Sequence, residues 1–372
     1  MCVRKLLLAT FGLVALMCGA AHASPLRWTR PSLIPHQPPY SSFTPSFTAL
    51  SCPSTTVCVG ADSLGDVVTS HDPSGGVTAW RTTRLASPSL IDGVPDGLSA
   101  VSCPSARLCV ALDYAYGLVI STNPAGGART WRAMHLSGVD TDRLSSIACP
   151  AVSLCLAVDW GGRMFVSTDP AGGSGTWIAS SFPAGMGSIS CGSTELCAAI
   201  SNYGEVYTSS DPAAGGSSWS AQPGVHATAV SCVGGSFCAA TNGEQVLSTD
   251  DPTGGPAAWN AATIDQPSEL GCTKEAGCTT NALTAIGCAS STSCVAVDAA
   301  GNLFAADDPS AGAASWHESS PGAGDLTAIA CPSTALCVAV DSGGDAVSSV
   351  DPTAVAPTWQ VSGCWPSIPV IG

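Results

Sequence analysis

Short apolar segments alternate with polar turns through most of the chain, and the alternation repeats. Between residues 327 and 360 the chain contains four apolar segments, residues 327–331, 336–341, 346–350 and 358–360. The three turns between them are rich in Pro, Ser, Gly and Asp, the residues that turn geometry favours. The pattern predicts four short strands that form one antiparallel sheet with apolar side chains on both faces.

Seven copies of this unit follow one another, and each begins with two cysteines separated by five residues. The pairs are Cys52 with Cys58, Cys103 with Cys109, Cys149 with Cys155, Cys191 with Cys197, Cys232 with Cys238, Cys288 with Cys294, and Cys331 with Cys337. Nineteen or twenty residues after the first cysteine, an Asp or Asn precedes a proline: Asp72, Asn123, Asp169, Asp211, Asp251, Asp308 and Asp351. Eight residues later there is always a tryptophan: Trp80, Trp131, Trp177, Trp219, Trp259, Trp316 and Trp359.

Repeats of about 45 residues with four strands each are typical of propeller blades. A single blade cannot bury both of its apolar faces, whereas radial stacking around a central channel covers all of them. We therefore predict an all-β, seven-bladed β-propeller with four-stranded blades over residues 47–363. A linear solenoid is the alternative, but it needs polar capping repeats, which the sequence lacks.

The paired cysteines predict one disulfide within each blade. Residues six apart around a short hairpin turn lie almost opposite, about 4.5 to 5.5 Å apart at Cα, which a disulfide can bridge. Zinc, the competing use, favours closer cysteines and a reducing compartment. Each bridge is expected to contribute about 2 kcal/mol to stability. Cys272 and Cys278, within an insertion at residues 265–283, are expected to pair as well, which leaves Cys364 as a free thiol or for an intermolecular bond.

The N-terminal residues have the order of a secretory signal. Arg4 and Lys5 precede an apolar run from Leu6 to Ala20, and Ala21-His22-Ala23 follows it. The run is too short to cross a bilayer core of about 30 Å. We predict that residues 1–23 are a signal peptide and that the protein is secreted.

The segments on either side of the repeats are expected to lie outside the blades. Residues 24–46 form a Pro-rich N-terminal segment, in which residues 26–30 resemble the fourth strand of a blade. They either add an edge strand that closes the ring or form an extended linker. Residues 364–372 form a C-terminal tail without an anchor-like apolar stretch.

Net charge excludes some classes of partner. Charged residues make up only 10% of the chain, and its net charge is -15 at pH 7. Removal of residues 1–23 leaves 10 basic and 27 acidic residues, a net charge of -17. Such a surface repels the phosphate groups of nucleic acids and of anionic membranes. We expect a monomer without a membrane span, whose partner is an extracellular glycan or protein.

The Asp-Pro and Trp positions carry a family resemblance. The segment Ser-Thr-Asp169-Pro-Ala-Gly-Gly-Ser-Gly-Thr-Trp177 resembles a lengthened Asp box, the Ser-x-Asp-x-Gly-x-Thr-Trp turn of sialidase-like and other BNR-repeat propellers. The resemblance covers residues 47–360. It implies that the box lies between the third and fourth strands, that its Asp bonds turn amides and that its Trp packs between blades. The extra residues, and Asn123 in the second unit, depart from the pattern, so the resemblance implies a shared fold and not a shared activity.

Sialidases of that superfamily hold a substrate carboxylate with three arginines from separate blades. In this chain no arginine follows Arg163, so four of the seven units contain none. Such a triad cannot form in the family's manner, and we assign no catalytic residue and no cofactor. The histidines and the pair Asp140 and Asp142 lack the spacing of metal sites, so we expect no metal.

Candidate binding residues lie in the second turns of three consecutive units. Alternating strands place all second turns and the links between blades on one face of the ring, and the resemblance to sialidase-like propellers implies that ligands bind there. These turns contain Tyr114 and Tyr116, then Trp160, then Tyr203. Aromatic rings suit stacking on sugars or contact with a peptide, although they also serve to fill space over a loop. We predict a non-catalytic binding or scaffold protein.

The rival prediction is a sialidase-like or other glycoside hydrolase or lyase with acidic residues at the channel mouth. Its candidate groups are Asp92, Asp96, Asp140, Asp142, Tyr114 and Glu275. Two carboxylates about 5 to 10 Å apart suffice for glycoside hydrolysis. Converging carboxylates with a raised pKa in a concave pocket would favour the enzyme, and an aromatic rim would favour binding.

Overall fold

Seven sheets of four antiparallel strands follow one another along the chain. They are seen in a computed structural model that describes residues 46–85, 90–91, 94–95, 97–113, 117–137, 143–265, 282–354 and 356–362. Consecutive strands pair in every sheet, so each blade is an up-and-down meander formed by one continuous segment. The predicted fold, an all-β propeller of seven four-stranded blades, is confirmed.

The strands of each blade are numbered in chain order. Blade 1 contains β1 (Phe47–Ser54), β2 (Val57–Asp62), β3 (Asp66–Ser70) and β4 (Trp80–Arg84), and a two-stranded ribbon, β5 (Leu90–Ile91) and β6 (Val94–Pro95), follows it. Blade 2 contains β7 (Leu98–Ser105), β8 (Leu108–Asp113), β9 (Gly117–Ser121) and β10 (Trp131–Met134). Blade 3 contains β11 (Leu144–Ala151), β12 (Leu154–Asp159), β13 (Arg163–Ser167) and β14 (Trp177–Ser181). Blade 4 contains β15 (Met186–Ser193), β16 (Leu196–Ser201), β17 (Glu205–Ser209) and β18 (Ser220–His226).

The remaining three blades follow the same plan. Blade 5 contains β19 (Ala229–Val233), β20 (Phe237–Asn242), β21 (Gln245–Thr249) and β22 (Asn260–Thr263). Blade 6 contains β23 (Leu283–Ser290), β24 (Ser293–Asp298), β25 (Leu303–Ala306) and β26 (Trp316–Ser319). Blade 7 contains β27 (Leu326–Ser333), β28 (Leu336–Asp341), β29 (Ala346–Ser349) and β30 (Gln360–Ser362).

Short 3-10 turns precede the tryptophan in six of the blades. They span Val77–Ala79, Ala128–Thr130, Ser174–Thr176, Pro212–Ala214 with Gly216–Ser218, Pro256–Ala258 and Ala313–Ser315. The residues that the structure describes contain no α-helix. None of the helices in these ranges has the length and apolar character needed to cross a bilayer.

Each sheet buries both of its faces against neighbouring blades, because successive side chains of a strand point to opposite faces. Between blades 3 and 4, Leu156 and Met164 pack with Met186, Ile189 and Trp219. Every blade tryptophan lies in such an interface with the preceding blade, and Trp80 packs against blade 7. The packing of these indoles between blades, which the Asp-box resemblance implied, is confirmed.

One disulfide joins the first two strands of each blade, as the cysteine spacing predicts. The seven bridges are Cys52 to Cys58, Cys103 to Cys109, Cys149 to Cys155, Cys191 to Cys197, Cys232 to Cys238, Cys288 to Cys294, and Cys331 to Cys337. All seven predicted pairings within the blades are confirmed. Their Cα separations are 4.0 to 4.1 Å, slightly shorter than the 4.5 to 5.5 Å expected for an opposed pair.

The bridges also contribute to the packing between blades. The second cysteine of every pair is fully buried, namely Cys58, Cys109, Cys155, Cys197, Cys238, Cys294 and Cys337. Seven bridges indicate an oxidising environment such as the extracellular space. The remaining predicted pair, Cys272 with Cys278, and the odd Cys364 lie outside the described residues.

Blade 7 packs directly on blade 1, so the structure is a closed ring and not a linear solenoid. Phe47 and Leu50 of blade 1 belong to the same buried apolar cluster as Leu336 and Val338 of blade 7. Thr327 Oγ1 also donates a hydrogen bond to the Phe47 carbonyl at 3.1 Å. Both blades take all four of their paired strands from their own segments. The candidate closing strand, residues 26–30, lies outside the described residues.

The fourth strand of blade 7 begins later than predicted. The sequence indicates residues 358–360, whereas the strand spans Gln360–Ser362. Pro357 lacks an amide hydrogen for a sheet ladder, and the chain joins the sheet only after Trp359. In blades 4 and 5, too, the fourth strand begins one residue after the tryptophan.

Candidate functional site

In the part of the chain that the structure describes, the second turns of the blades and the links between blades lie together on one face of the ring, called here the turn-2 face. The second turns described in full are residues 62–66, 159–163, 201–205, 242–245, 298–302 and 341–345. Backbone hydrogen bonds join links to turns: the Phe182 amide donates to the Gly162 carbonyl at 2.7 Å, and the Asn202 amide donates to the Gly185 carbonyl at 2.9 Å. The link between blades 3 and 4 therefore connects the second turns of both blades.

A buried polar side chain at the end of the second strand holds several of these turns. Asp159 Oδ1 accepts the amides of Gly161 and Arg163 at 3.0 and 2.8 Å. Equivalent carboxylates accept turn amides in three other blades: Asp62, Asp298 and Asp341. In blade 4, Ser201 Oγ accepts the amides of Tyr203 and Glu205 instead. These groups fix the shape of the turns, and none of them is among the residues predicted from the sequence.

Trp160 lies in the second turn of blade 3, and 51% of its surface is exposed. Its ring lies beside Gly187 of β15, where an added Cβ would be 3.7 and 3.8 Å from two ring carbons. The other six blades carry a hydroxyl residue at this position: Thr48, Ser99, Ser145, Thr228, Thr284 and Thr327. At these separations an added Cβ would be in ordinary van der Waals contact with the ring, so the indole lies close to Gly187.

Tyr203 lies in the second turn of blade 4 and is 85% exposed. The neighbouring Asn202 donates from Nδ2 to the Trp160 carbonyl at 3.3 Å, so the two turns are in direct contact. Two of the four predicted aromatic residues therefore occupy adjoining turns on one face. Tyr114 and Tyr116 lie outside the described residues. That these aromatic side chains bind a ligand stays a prediction.

Polar groups flank this aromatic pair. Glu205 is exposed two residues after Tyr203, and His226 lies opposite it in the sheet register. Glu205 Oε2 also accepts a hydrogen bond from the hydroxyl of Tyr207 at 3.3 Å. Burial, the Glu205 charge and this hydrogen bond raise the pKa of Tyr207. The surface around Trp160 and Tyr203 thus offers aromatic contact area together with hydrogen-bonding groups.

A buried carboxyl group lies between blades 5 and 6 on the same face. Asp265 follows β22 and is only 5% exposed, and its Oδ2 has no hydrogen-bond partner. Burial, followed by the charges of Asp298, Glu244 and Glu318, raises the pKa of Asp265 to about 6. The sequence predicts no role for Asp265, because nothing local to it indicates burial.

A second carboxyl group with a raised pKa lies in blade 7. Burial and the neighbouring Asp341 raise the pKa of Asp345 to about 7. Asp341 itself accepts the Asp345 amide at 2.7 Å and the Gly324 amide at 3.1 Å, so it serves the turn. Across the described ranges, no three His, Cys, Asp or Glu side chains are arranged to hold a metal ion. The groups named for the rival enzyme, Asp92, Asp96, Asp140, Asp142, Tyr114 and Glu275, lie outside those ranges.

Replacement of Asp265 by Asn is expected to stabilise the folded protein at neutral pH. The folded-state pKa of about 6, against an ordinary 3.8, means that the folded state holds the proton more tightly than the unfolded state does. The stabilisation from protonation is complete below the ordinary pKa and is lost as the pH rises through 6. Asp265→Asn should therefore raise the free energy of unfolding at pH 7 by up to about 3 kcal/mol. Near pH 3.5, where the carboxyl is mostly protonated in both states, the substitution should have almost no effect.

Urea unfolding at a series of pH values from about 3.5 to 8 measures this effect, because the window spans both pKa values. Asp325→Asn, which removes an acid at an exposed position near the same face, is the matched control. Parallel pH profiles of wild type and Asp265→Asn would show that this carboxyl ionises as an exposed aspartate does.

Solved structures of other propellers are similar to this chain. YCF48 bound to D1 peptide superposes with a TM-score of 0.60 at 13% identity, covering 82% of this chain and 92% of that one. YCF48 from Cyanidioschyzon merolae gives 0.57 at 15% identity, covering 84% and 98%. The WD40 repeats of RRP9 give 0.61 at 12% identity, covering 80% and 87%.

Comparison at the level of sequence identifies no family for this chain. No family model matches the chain, and no curated protein matches it. The resemblance to Asp-box propellers therefore stays a resemblance. At these identities the structural likenesses show the fold alone, a seven-bladed β-propeller.

Proposed function

We propose that this protein is a secreted, non-catalytic propeller that binds an extracellular polypeptide on its turn-2 face. The exposure of Trp160 and Tyr203 on adjoining turns carries the proposal. In the described ranges the other large apolar side chains with high exposure are Val152, Ile178 and Val350, and none of these is aromatic. Trp and Tyr are enriched at binding hot spots, because their large, stiff rings bury much area at little entropic cost.

The surroundings of the two rings favour a polypeptide. The Trp160 ring lies close to Gly187 of the next blade, so one part of the indole already faces the protein while the rest is open to a ligand. Asn202, Glu205 and His226 supply polar groups at the rim, as protein interfaces have. One of the propellers that this chain resembles in fold is a complex with a peptide. The signal-like residues 1–23 and the seven disulfides support secretion.

Loss of both aromatic rings is expected to abolish most of the binding. The mature protein, screened on peptide arrays, should bind a subset of peptides whose affinities can then be measured by fluorescence anisotropy. In the Trp160→Ala, Tyr203→Ala double variant the affinity should fall by about 30-fold or more, since a hot-spot residue contributes 2 kcal/mol or more. The control variant Ile178→Ala, Val350→Ala removes two exposed apolar side chains elsewhere on the ring and should bind as wild type does.

The outcomes of this experiment distinguish the location of the site, the class of ligand and the rival enzyme. Equal binding by the double variant and wild type would place the site elsewhere. A signal on glycan arrays that the same double variant loses, without any peptide signal, would identify a glycan as the ligand. Hydrolysis of arrayed glycans would favour the rival enzyme. Adding Tyr114→Ala and Tyr116→Ala to the double variant would extend the test to blade 2.

A further inference from the structure

Charge is divided unevenly around the ring. Residues 47–181, which form blades 1 to 3, contain ten acidic and seven basic residues. Residues 186–362, which include blades 4 to 7 and the insertion, contain seventeen acidic residues and one basic residue, Lys274. The net charges of the two portions are therefore -3 and -16 at pH 7.

The acidic groups of the turn-2 face have cationic partners only in the first portion, among the residues that the structure describes. Arg84 pairs with Asp66 at 3.3 Å, and Arg163 pairs with Asp159 at 2.7 Å. The position of Arg163 relative to the turn is taken by Asn302 in blade 6 and by Asp345 in blade 7. The buried turn carboxylates of blades 6 and 7 thus add to the negative potential of this face.

Acidic side chains continue around the turn-2 face from the aromatic pair. Glu205 and Glu244 follow on blades 4 and 5, and Glu318 and Asp325 lie near the outgoing ends of blade 6 and its link to blade 7. Three of these four are exposed, and Glu244 is half-buried. A ligand seated on Trp160 and Tyr203 and extending toward blade 5 would therefore meet carboxylates.

Asp265 supplies an independent observation that no described residue places a cation in this region. Its carboxyl group is buried with Oδ2 unpartnered, among the charges of Glu244, Asp298 and Glu318. A buried carboxylate is costly unless a hydrogen bond or an opposite charge compensates it. A positive charge placed over this region would be attracted by all four groups at once.

We propose that the turn-2 face of blades 4 to 7 selects polypeptides in which Lys or Arg residues adjoin the apolar residue bound at Trp160 and Tyr203. The inference rests on the proposed function for the location of the aromatic anchor. Complementary charge of this kind raises the association rate and excludes acidic competitors more than it adds affinity for each pair. Because exposed charges are screened by salt, the preference must weaken as ionic strength rises.

Three versions of one peptide test this preference. A peptide that wild type binds is synthesised with three Lys, three Ser or three Glu residues next to its apolar residue, and binding is followed by fluorescence anisotropy. At low salt the Lys version should bind about tenfold more tightly than the Ser version, and the Glu version more weakly than both. At about 0.5 M NaCl the three affinities should converge to within about threefold. Equal affinities at low salt would overturn the inference.

Matched variants separate the turn-2 face from the general negative charge of the ring. One carries Glu205→Gln, Glu244→Gln, Glu318→Gln and Asp325→Asn. The other carries Asp211→Asn, Asp251→Asn, Asp308→Asn and Asp351→Asn, which removes the same charge from exposed third turns on the opposite face. The ratio of Lys to Ser affinity should fall to about threefold or less in the first variant and stay near tenfold in the second.

The results also distinguish this inference from the proposed function. Binding of all three peptides that is lost in the Trp160→Ala, Tyr203→Ala variant but shows no preference for Lys would contradict the inference alone. Equal loss of the preference in both charge variants would show attraction by net charge and not by this face. Failure of wild type to bind any peptide would contradict both proposals.

Discussion

Complete reduction of the seven blade disulfides is expected to unfold the propeller at neutral pH and 25 °C. Each bridge closes a loop of about seven residues and stabilises the folded chain by about 2 kcal/mol. Seven such contributions amount to about 14 kcal/mol, close to the upper end of the total stability of a typical domain, about 5 to 15 kcal/mol. Near-UV circular dichroism during titration with a phosphine reductant measures the loss, because the blade tryptophans report on interface packing.

A single bridge provides the graded control for this result. The Cys191→Ala, Cys197→Ala variant removes only the blade 4 disulfide, and its free energy of unfolding should fall by about 2 kcal/mol while the ring stays folded. Mass mapping of the unreduced protein should find each bridge within its own blade. A fully reduced protein with an unchanged tryptophan signal would show that packing alone maintains the ring.

The blades and their bridges could be predicted because the relevant chemistry is local in sequence. Cys52 and Cys58 belong to one hairpin, so their spacing alone brings them together. The Asp-Pro turn and the following tryptophan recur at fixed distances, which identifies the unit and its interface residue without knowledge of the neighbouring blade. Radial closure then follows from the need to cover seven sheets that are apolar on both faces.

Contacts between blades could not be predicted in the same way. The serine before the first cysteine accepts a hydrogen bond from the next blade: Ser51 Oγ from the Cys103 amide at 3.0 Å and Ser102 Oγ from the Cys149 amide at 2.9 Å. These partners are 52 and 47 residues apart. Serine is common in turns and strands alike, so its type carries no signal until the inner strands are known to be neighbours.

The candidate site also combines features that local sequence predicts with features that depend on neighbouring blades. Counting strands was enough to place Trp160 and Tyr203 on one face, because the direction of each strand alternates. The position of the indole beside Gly187 and the environment of Asp265 depend on residues from different blades. An alignment of the seven units could have indicated that Gly187 is unusual, because the other six units carry Ser or Thr at that position.

Replacement of Trp219 by Ala is expected to cost about 3 to 5 kcal/mol of the free energy of unfolding. Its side chain is 6% exposed in the interface between blades 3 and 4. Phe182, from the link between these blades, contacts the Trp219 ring edge to face at 5.4 Å and contacts Tyr207 at the same distance. Removal of the indole therefore leaves a cavity and also breaks a chain of three aromatic rings.

Two substitutions calibrate this loss in urea unfolding experiments. Trp359→Ala makes the same chemical change in blade 7, where the indole is only half-buried, and should cost clearly less than Trp219→Ala because less area is removed from contact. Ile178→Ala lies on the outer strand β14 at 66% exposure and should change stability by no more than about 0.5 kcal/mol. Equal losses of unfolding free energy for Trp219→Ala and Trp359→Ala would contradict this prediction. They would mean that the depth of burial in the blade interface does not determine how much each tryptophan stabilises the fold.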